Sequence, residues 1–124
     1  MLQGGTASIY VSDIDRAINF YTKILGLKLR VKVDENWAEI DAGNGLVIGL
    51  HPASPPSTVP SGTRGAIDIE LHTTRPMEEV VGALSQRGAH FAGPIKNYKN
   101  VRIAALEDPD QNTIILAEVL PSNP

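Results

Sequence analysis

A chain of 124 residues with 42% hydrophobic residues, a formal net charge of -3 and a pI near 5.5 is enough for one domain with a real core. The acidic balance and an aromatic content of 5% exclude a phosphate-tracking or base-stacking surface, and no apolar run approaches the roughly 20 residues of a membrane span. The absence of cysteine excludes disulfides, thiolate metal sites and cysteine nucleophiles, and residues 1–6 lack the basic and apolar regions of a signal peptide, so a soluble, cytoplasmic protein is expected.

Residues 6–11 alternate as a strand, with Ala7, Ile9 and Val11 on one face and Thr6, Ser8 and Tyr10 on the other. Ser12 and Asp13 signal a helix start. Ile14, Ala17, Ile18, Tyr21 and Leu25 recur at helical spacing up to the stop at Gly26, which predicts one helix over 13–25. Strands are predicted at 27–33, 37–41 and 46–51, broken by Asp34-Glu-Asn36 and by Ala42-Gly-Asn-Gly45. In the first of these, Lys28, Arg30 and Lys32 alternate with Leu27, Leu29, Val31 and Val33 and read as its solvated face. Residues 6–51 thus form a βαβββ unit. Residues 52–65, rich in Pro, Ser and Gly, read as a linker to a second one.

The second unit covers about 66–119. Its opening strand, Gly65-Ala-Ile-Asp-Ile-Glu-Leu-His-Thr73, sets Ile67, Ile69 and Leu71 against Ala66, Asp68, Glu70 and His72. Thr73 or Thr74 is the expected cap of a helix with Pro76 in its first turn, a stripe of Met77, Val80, Val81 and Leu84, and a stop at Gly88. Strands follow at 89–91, 101–106 and 113–119. Between the last two, Glu107-Asp-Pro-Asp-Gln-Asn112 is a turn, with Pro109 set for its first corner and Asn112 suited to a positive φ.

Val11-Ser-Asp-Ile-Asp-Arg-Ala-Ile-Asn-Phe-Tyr with Leu25-Gly-Leu27, and the 107–112 turn before an apolar strand, resemble the vicinal oxygen chelate superfamily of glyoxalase I, extradiol dioxygenases and bleomycin-resistance proteins. The resemblance spans residues 6–118. It implies an α+β fold in which two βαβββ repeats within a single domain, 1–124, form a curved, open funnel of sheet with helices outside. It also implies a homodimer, with the halves paired within one chain or exchanged between two, and a metal held by His, Glu or Gln from the first and last strands of each repeat. Carried over, those positions hold Thr6, Gly49, Ala66 and Ile115, none of them a usual ligand, so neither a metal nor another cofactor is expected.

If those positions face the funnel, alternation brings Tyr10, Trp37, Glu39, Val47, His51, Asp68, Glu70 and His72 to the same face as Ile115. For the strand at 101–106, alternation leaves open whether Arg102, Ala104 and Leu106 or Val101, Ile103 and Ala105 point inward. The expected cavity has an apolar floor of Trp37, Val47, Leu106 and Ile115 with several acids around it. Two functions fit. One is metal-free sequestration of a cationic or flat-ringed small molecule, as the likeness to bleomycin-resistance proteins implies. The other is a glyoxalase-like or dioxygenase-like enzyme, using either a displaced divalent ion on Glu70 and His72 with His51 or Glu39, or acid-base catalysis by Glu70 and His72. Neither a nucleic acid nor a membrane is an expected partner.

Overall fold

Ile9, Val11, Ala38, Ile40, Ile48 and Leu50 take alternate positions on three strands, and all are buried together with Ile14 and Ala17 of the helix that packs on them. That single alternation organises the first half of the chain. In the computed structural model, which describes residues 1–53, 62 and 67–121, the chain divides into two units, Met1–Thr63 and Arg64–Pro124, each with one four-stranded sheet. Among the described residues no helix is long and apolar enough to cross a membrane.

The first unit contains β1 (Ala7–Val11), α1 (Ile14–Asn19), β2 (Lys28–Val33), β3 (Trp37–Gly43) and β4 (Leu46–Pro52). Its sheet order is β1-β4-β3-β2, with β1 parallel to β4 and the other pairs antiparallel. Asp13 caps α1 by accepting the Arg16 N–H at 3.0 Å. The helix expected over 13–25 is α-helical only to Asn19; Phe20–Ile24 form a wider π turn, closed by Leu25 N–H to the Phe20 carbonyl at 3.0 Å. The wider turn lets two consecutive rings, Phe20 and Tyr21, both be buried, edge to face at 5.1 Å. Gly26 then takes φ 79 and ends the helix as expected.

β2 departs from simple alternation. Its pairing runs Lys28↔Asp41 and Leu29↔Ile40, then Val31↔Glu39, Lys32↔Ala38 and Val33↔Trp37, so Arg30 is an extra residue and every later side chain changes face. Lys32 consequently sits on the α1 side, 3.6 Å from Asp15, while Val31 and Val33 join Trp37 and Glu39. The expected common face of Lys28, Arg30 and Lys32 is thereby split. β2 is the exposed edge of its sheet, so no packing partner enforced the regular pattern.

The second unit contains β5 (Asp68–His72), α2 (Met77–Gln86), β6 (Lys96–Asn97), β7 (Val101–Glu107) and β8 (Thr113–Val119), in sheet order β5-β8-β7-β6. Ile69, Ala104, Leu106, Ile114 and Leu116 are buried, as are Met77 and Leu84 of α2. The orientation of β7 is decided by charge. Arg102 grips Glu78 on α2 and, at 3.3 Å, Glu118 on β8, so Arg102, Ala104 and Leu106 face the helix, and Val101, Ile103 and Ala105 face away. Leu106, expected in the cavity floor, is fully buried in the core instead.

Neither Thr73 nor Thr74 caps α2. Pro76 is the cap residue, and the Met77 N–H is met from the sheet by Glu118 Oε1 at 3.0 Å. The strand expected at 89–91 shrinks to one bridge, Phe91↔Leu106, because Gly93 turns at φ 106 and Pro94 has no N–H to continue a ladder. Its place at the sheet edge is taken by β6. In the turn before β8 the positive φ of 68 falls on Gln111, not Asn112. Asn112 is held elsewhere: Asp108 accepts the backbone N–H groups of Asp110 and Asn112, each at 2.8 Å, and the Asn112 amide at 2.9 Å.

Two outcomes follow for stability. Asp108→Ala strands three donors in a turn where Asp108 and Asn112 are 4% and 3% exposed, and should cost about 2–3 kcal/mol by urea denaturation, with Asp108→Asn costing less because one oxygen survives. The hydrogen bond from Arg102 lowers the Glu78 carboxyl from 4.5 to about 2. A depressed carboxylate stabilises the fold fully above its unfolded pKa and stops doing so as pH falls through the folded one. Glu78→Gln should therefore lower the urea midpoint above pH 4.5, with a gap to the parent that closes as pH approaches 2.

Candidate functional site

In the first unit α1 covers one face of the sheet, so side chains that alternate with its core occupy the other. Tyr10 of β1 and His51 of β4 are cross-strand partners with ring centroids 4.8 Å apart, and Trp37 of β3 meets His51 edge-on at 6.3 Å. The His51 Nδ1 lies 2.9 Å from the Pro52 carbonyl. A carbonyl can only accept, so Nδ1 carries a proton, and in the neutral ring Nε2 is the acceptor.

The Trp37 indole is fixed at two points. Its Nε1–H donates to Glu39 Oε2 at 2.9 Å, and the other oxygen of Glu39 is 3.6 Å from Arg30 Nε. Its six-membered ring lies against the backbone of β4 at Gly49: a Cβ there would collide with Trp37 Cη2 and stand 2.9 Å from Trp37 Cζ2 and 2.7 Å from Ser8 Oγ. Gly49 is buried beneath these side chains, with Ser8 and Glu39 as its strand partners. Val47 is half-buried opposite Asp41, one pleat along the same face.

In the second unit the face away from α2 holds Asp68, Glu70 and His72 of β5, paired with Thr113, Ile115 and Ala117 of β8. Glu70 Oε2 and His72 Nε2 are 2.9 Å apart, with side chains 57% and 63% exposed. Ile115 is half-buried between Glu70 and Ala105. Tyr10, Trp37, Glu39, Val47 and His51 thus share one sheet face, and Asp68, Glu70, His72 and Ile115 share another.

The donor set fits a metal poorly. Gly49 has no side chain and Ile115 presents a hydrocarbon. Thr6 is exposed ahead of β1, where Ser8 rather than Thr6 stands opposite Gly49, and Ala66 lies outside the described residues. Among the described residues no group of three or more His, Asp or Glu that could hold an ion is found. Arg30 and the Val31–Val33 end of β2 escaped sequence analysis because their face depends on the bulge. Gly49 itself carried a signal: a glycine in the middle of a strand marks a close approach.

The profile described as the Glyoxalase/Bleomycin resistance protein/Dioxygenase superfamily matches residues 5–116. The chain belongs to that superfamily. Among solved structures it is similar to TnmS3, an antibiotic binding protein from Streptomyces sp. CB03234, at 28% identity over 98% of each chain with a TM-score of 0.74. A glyoxalase/bleomycin resistance protein from the same organism matches at 28% identity over 94% of this chain and 100% of that one, TM-score 0.72. A superfamily member from Sphaerobacter thermophilus matches at 26% identity over 95% and 98%, TM-score 0.78.

Proposed function

We propose that this chain binds a flat-ringed small molecule on the Tyr10, Trp37 and His51 face of its first sheet, without a metal. The observation that carries this reading is the fixed indole. Trp37 is pinned by Glu39 and backed by Gly49, so its ring is already ordered before anything binds. An ordered ring loses little freedom on stacking, and each aromatic pair contributes about 0.5–1.5 kcal/mol beyond the area it buries. The His51 Nε2 acceptor beside it can orient a ligand N–H or O–H. The likeness to TnmS3, an antibiotic binding protein, supports a small-molecule ligand.

Selection for a cationic ligand has weaker support on this face, because the Glu39 charge is shared by the Trp37 N–H and Arg30. Flatness, more than charge, is the feature selected. Sequestration needs no group transfer, and the weak donor set for an ion agrees with that role.

A second reading rests on the hydrogen-bonded Glu70 and His72, which could shuttle a proton on the second sheet. Both side chains stand more than half in water, and water competes with such a pair for the substrate proton.

Trp37 is the chain's single tryptophan, so its emission reports directly on the face. Titration with a panel of planar antibiotics and dyes should give saturable quenching that EDTA leaves unchanged and that Glu70→Gln and His72→Ala do not weaken. For a compound bound in this way, Trp37→Ala should raise Kd roughly ten-fold or more in calorimetry, the equivalent of about 1.4 kcal/mol. Absence of quenching across the panel, or its loss with EDTA, would overturn the proposal. Turnover abolished by both Glu70→Gln and His72→Ala would favour the enzyme instead.

A further inference from the structure

We infer that Gly49 is the specificity-determining position of this face: the missing side chain is what allows the Trp37 indole to lie across β4, so that an aromatic plate and any side chain at position 49 exclude one another. The inference deepens the binding proposal and rests on it only for the word specificity; the exclusion itself rests on geometry.

Gly49 is not demanded by its backbone. It is a regular β4 residue, paired to Ser8 on one side and Glu39 on the other, and it is absent from the positive-φ positions that require glycine, such as Gly43 and Gly45 in the adjoining turn. In a strand interior glycine is unfavourable, because it loses the most freedom on folding and has no side chain to pack. What offsets that cost is the space above it. The volume of one methyl group at position 49 is claimed by Trp37 Cη2 and Cζ2 and by Ser8 Oγ. Real Cβ contacts do not come so close, so even alanine must push the indole off the strand.

Moving the indole has a defined consequence. Where it lies against β4 its Nε1–H donates to Glu39 at 2.9 Å, and Glu39 in turn sits between that N–H and Arg30. Displacement releases the carboxylate from the indole and tilts the ring away from the His51 edge. A larger substituent at position 49, a metal-donating Glu, Gln or His included, displaces the ring further. One absent side chain therefore selects a ring-stacking surface over a coordinating one.

The test is a double-mutant cycle on the full chain with Gly49→Ala, Trp37→Ala and the combined variant, read by thermal melting. The single tryptophan of Gly49→Ala is read by emission wavelength and acrylamide quenching. Gly49→Ala in the parent should red-shift the emission, steepen the quenching and lower Tm by roughly 5 °C, the scale of overpacking in a chain of this size. In the Trp37→Ala background the same substitution should lower Tm far less, since only the Ser8 hydroxyl, which can rotate aside, still contends for the space. An unchanged emission in Gly49→Ala, or an equal Tm loss in both backgrounds, would overturn the inference. If no planar compound quenches the parent chain while the cycle still shows this coupling, the binding proposal fails and the exclusion between Gly49 and the indole stands.

Discussion

Among the described residues each unit sets one α-helix against one four-stranded sheet, and a helix can cover only one face of a sheet. Strand alternation then divides every strand between a core set and an opposite set that the core does not need. In the first unit the core set is Ile9, Val11, Ala38, Ile40, Ile48 and Leu50. What alternates with it is Ser8, Tyr10, Trp37, Glu39, Val47, Gly49 and His51, a chemically mixed group that a solvated face alone would not require. The parallel pairing of β1 with β4, and of β5 with β8, sets which of these side chains become neighbours across strands.

The two units use that arrangement differently. On the first, rings and a buried glycine build a surface whose polar groups are supplied by Glu39 and His51. On the second, the opposite face carries Asp68, Glu70 and His72 beside the aliphatic Ile115. Arg102 is on the other side, tying Glu78 of α2 and Glu118 of β8 together. Glu118 has a second task there, meeting the first N–H of a helix that lacks a capping side chain. The charges of this unit therefore divide by face, with structural pairs against α2 and the exposed Glu70–His72 pair opposite.

Membership of the Glyoxalase/Bleomycin resistance protein/Dioxygenase superfamily accounts for the scaffold and does not choose a chemistry for it. That choice lies in a few positions. Gly49 and Ile115 supply no metal donor, and the space a donor at position 49 would need is filled by Trp37. The surface there is lined with rings held by a hydrogen bond and by ring contacts.

Alternation, helix spacing and turn residues are local properties, and they were sufficient to place both units except for the strand expected at 89–91, along with the cap at Asp13, the stop at Gly26 and the core face of β1, β3 and β4. They failed where a non-local contact decides. The face of β2 after Arg30 depends on a bulge against β3, and the face of β7 depends on Arg102 finding Glu78 and Glu118. The cap of α2 comes from a residue 41 positions away. The candidate residues were legible as a set because period two is written in the chain. Their grouping was not: that Tyr10 meets His51, that Trp37 leans on Gly49, and that Glu39 holds the indole all follow from strand register. Sequence alone determined which side chains leave the core, since that needs only the pleat; tertiary structure decided which of them touch, since that needs the partner strand.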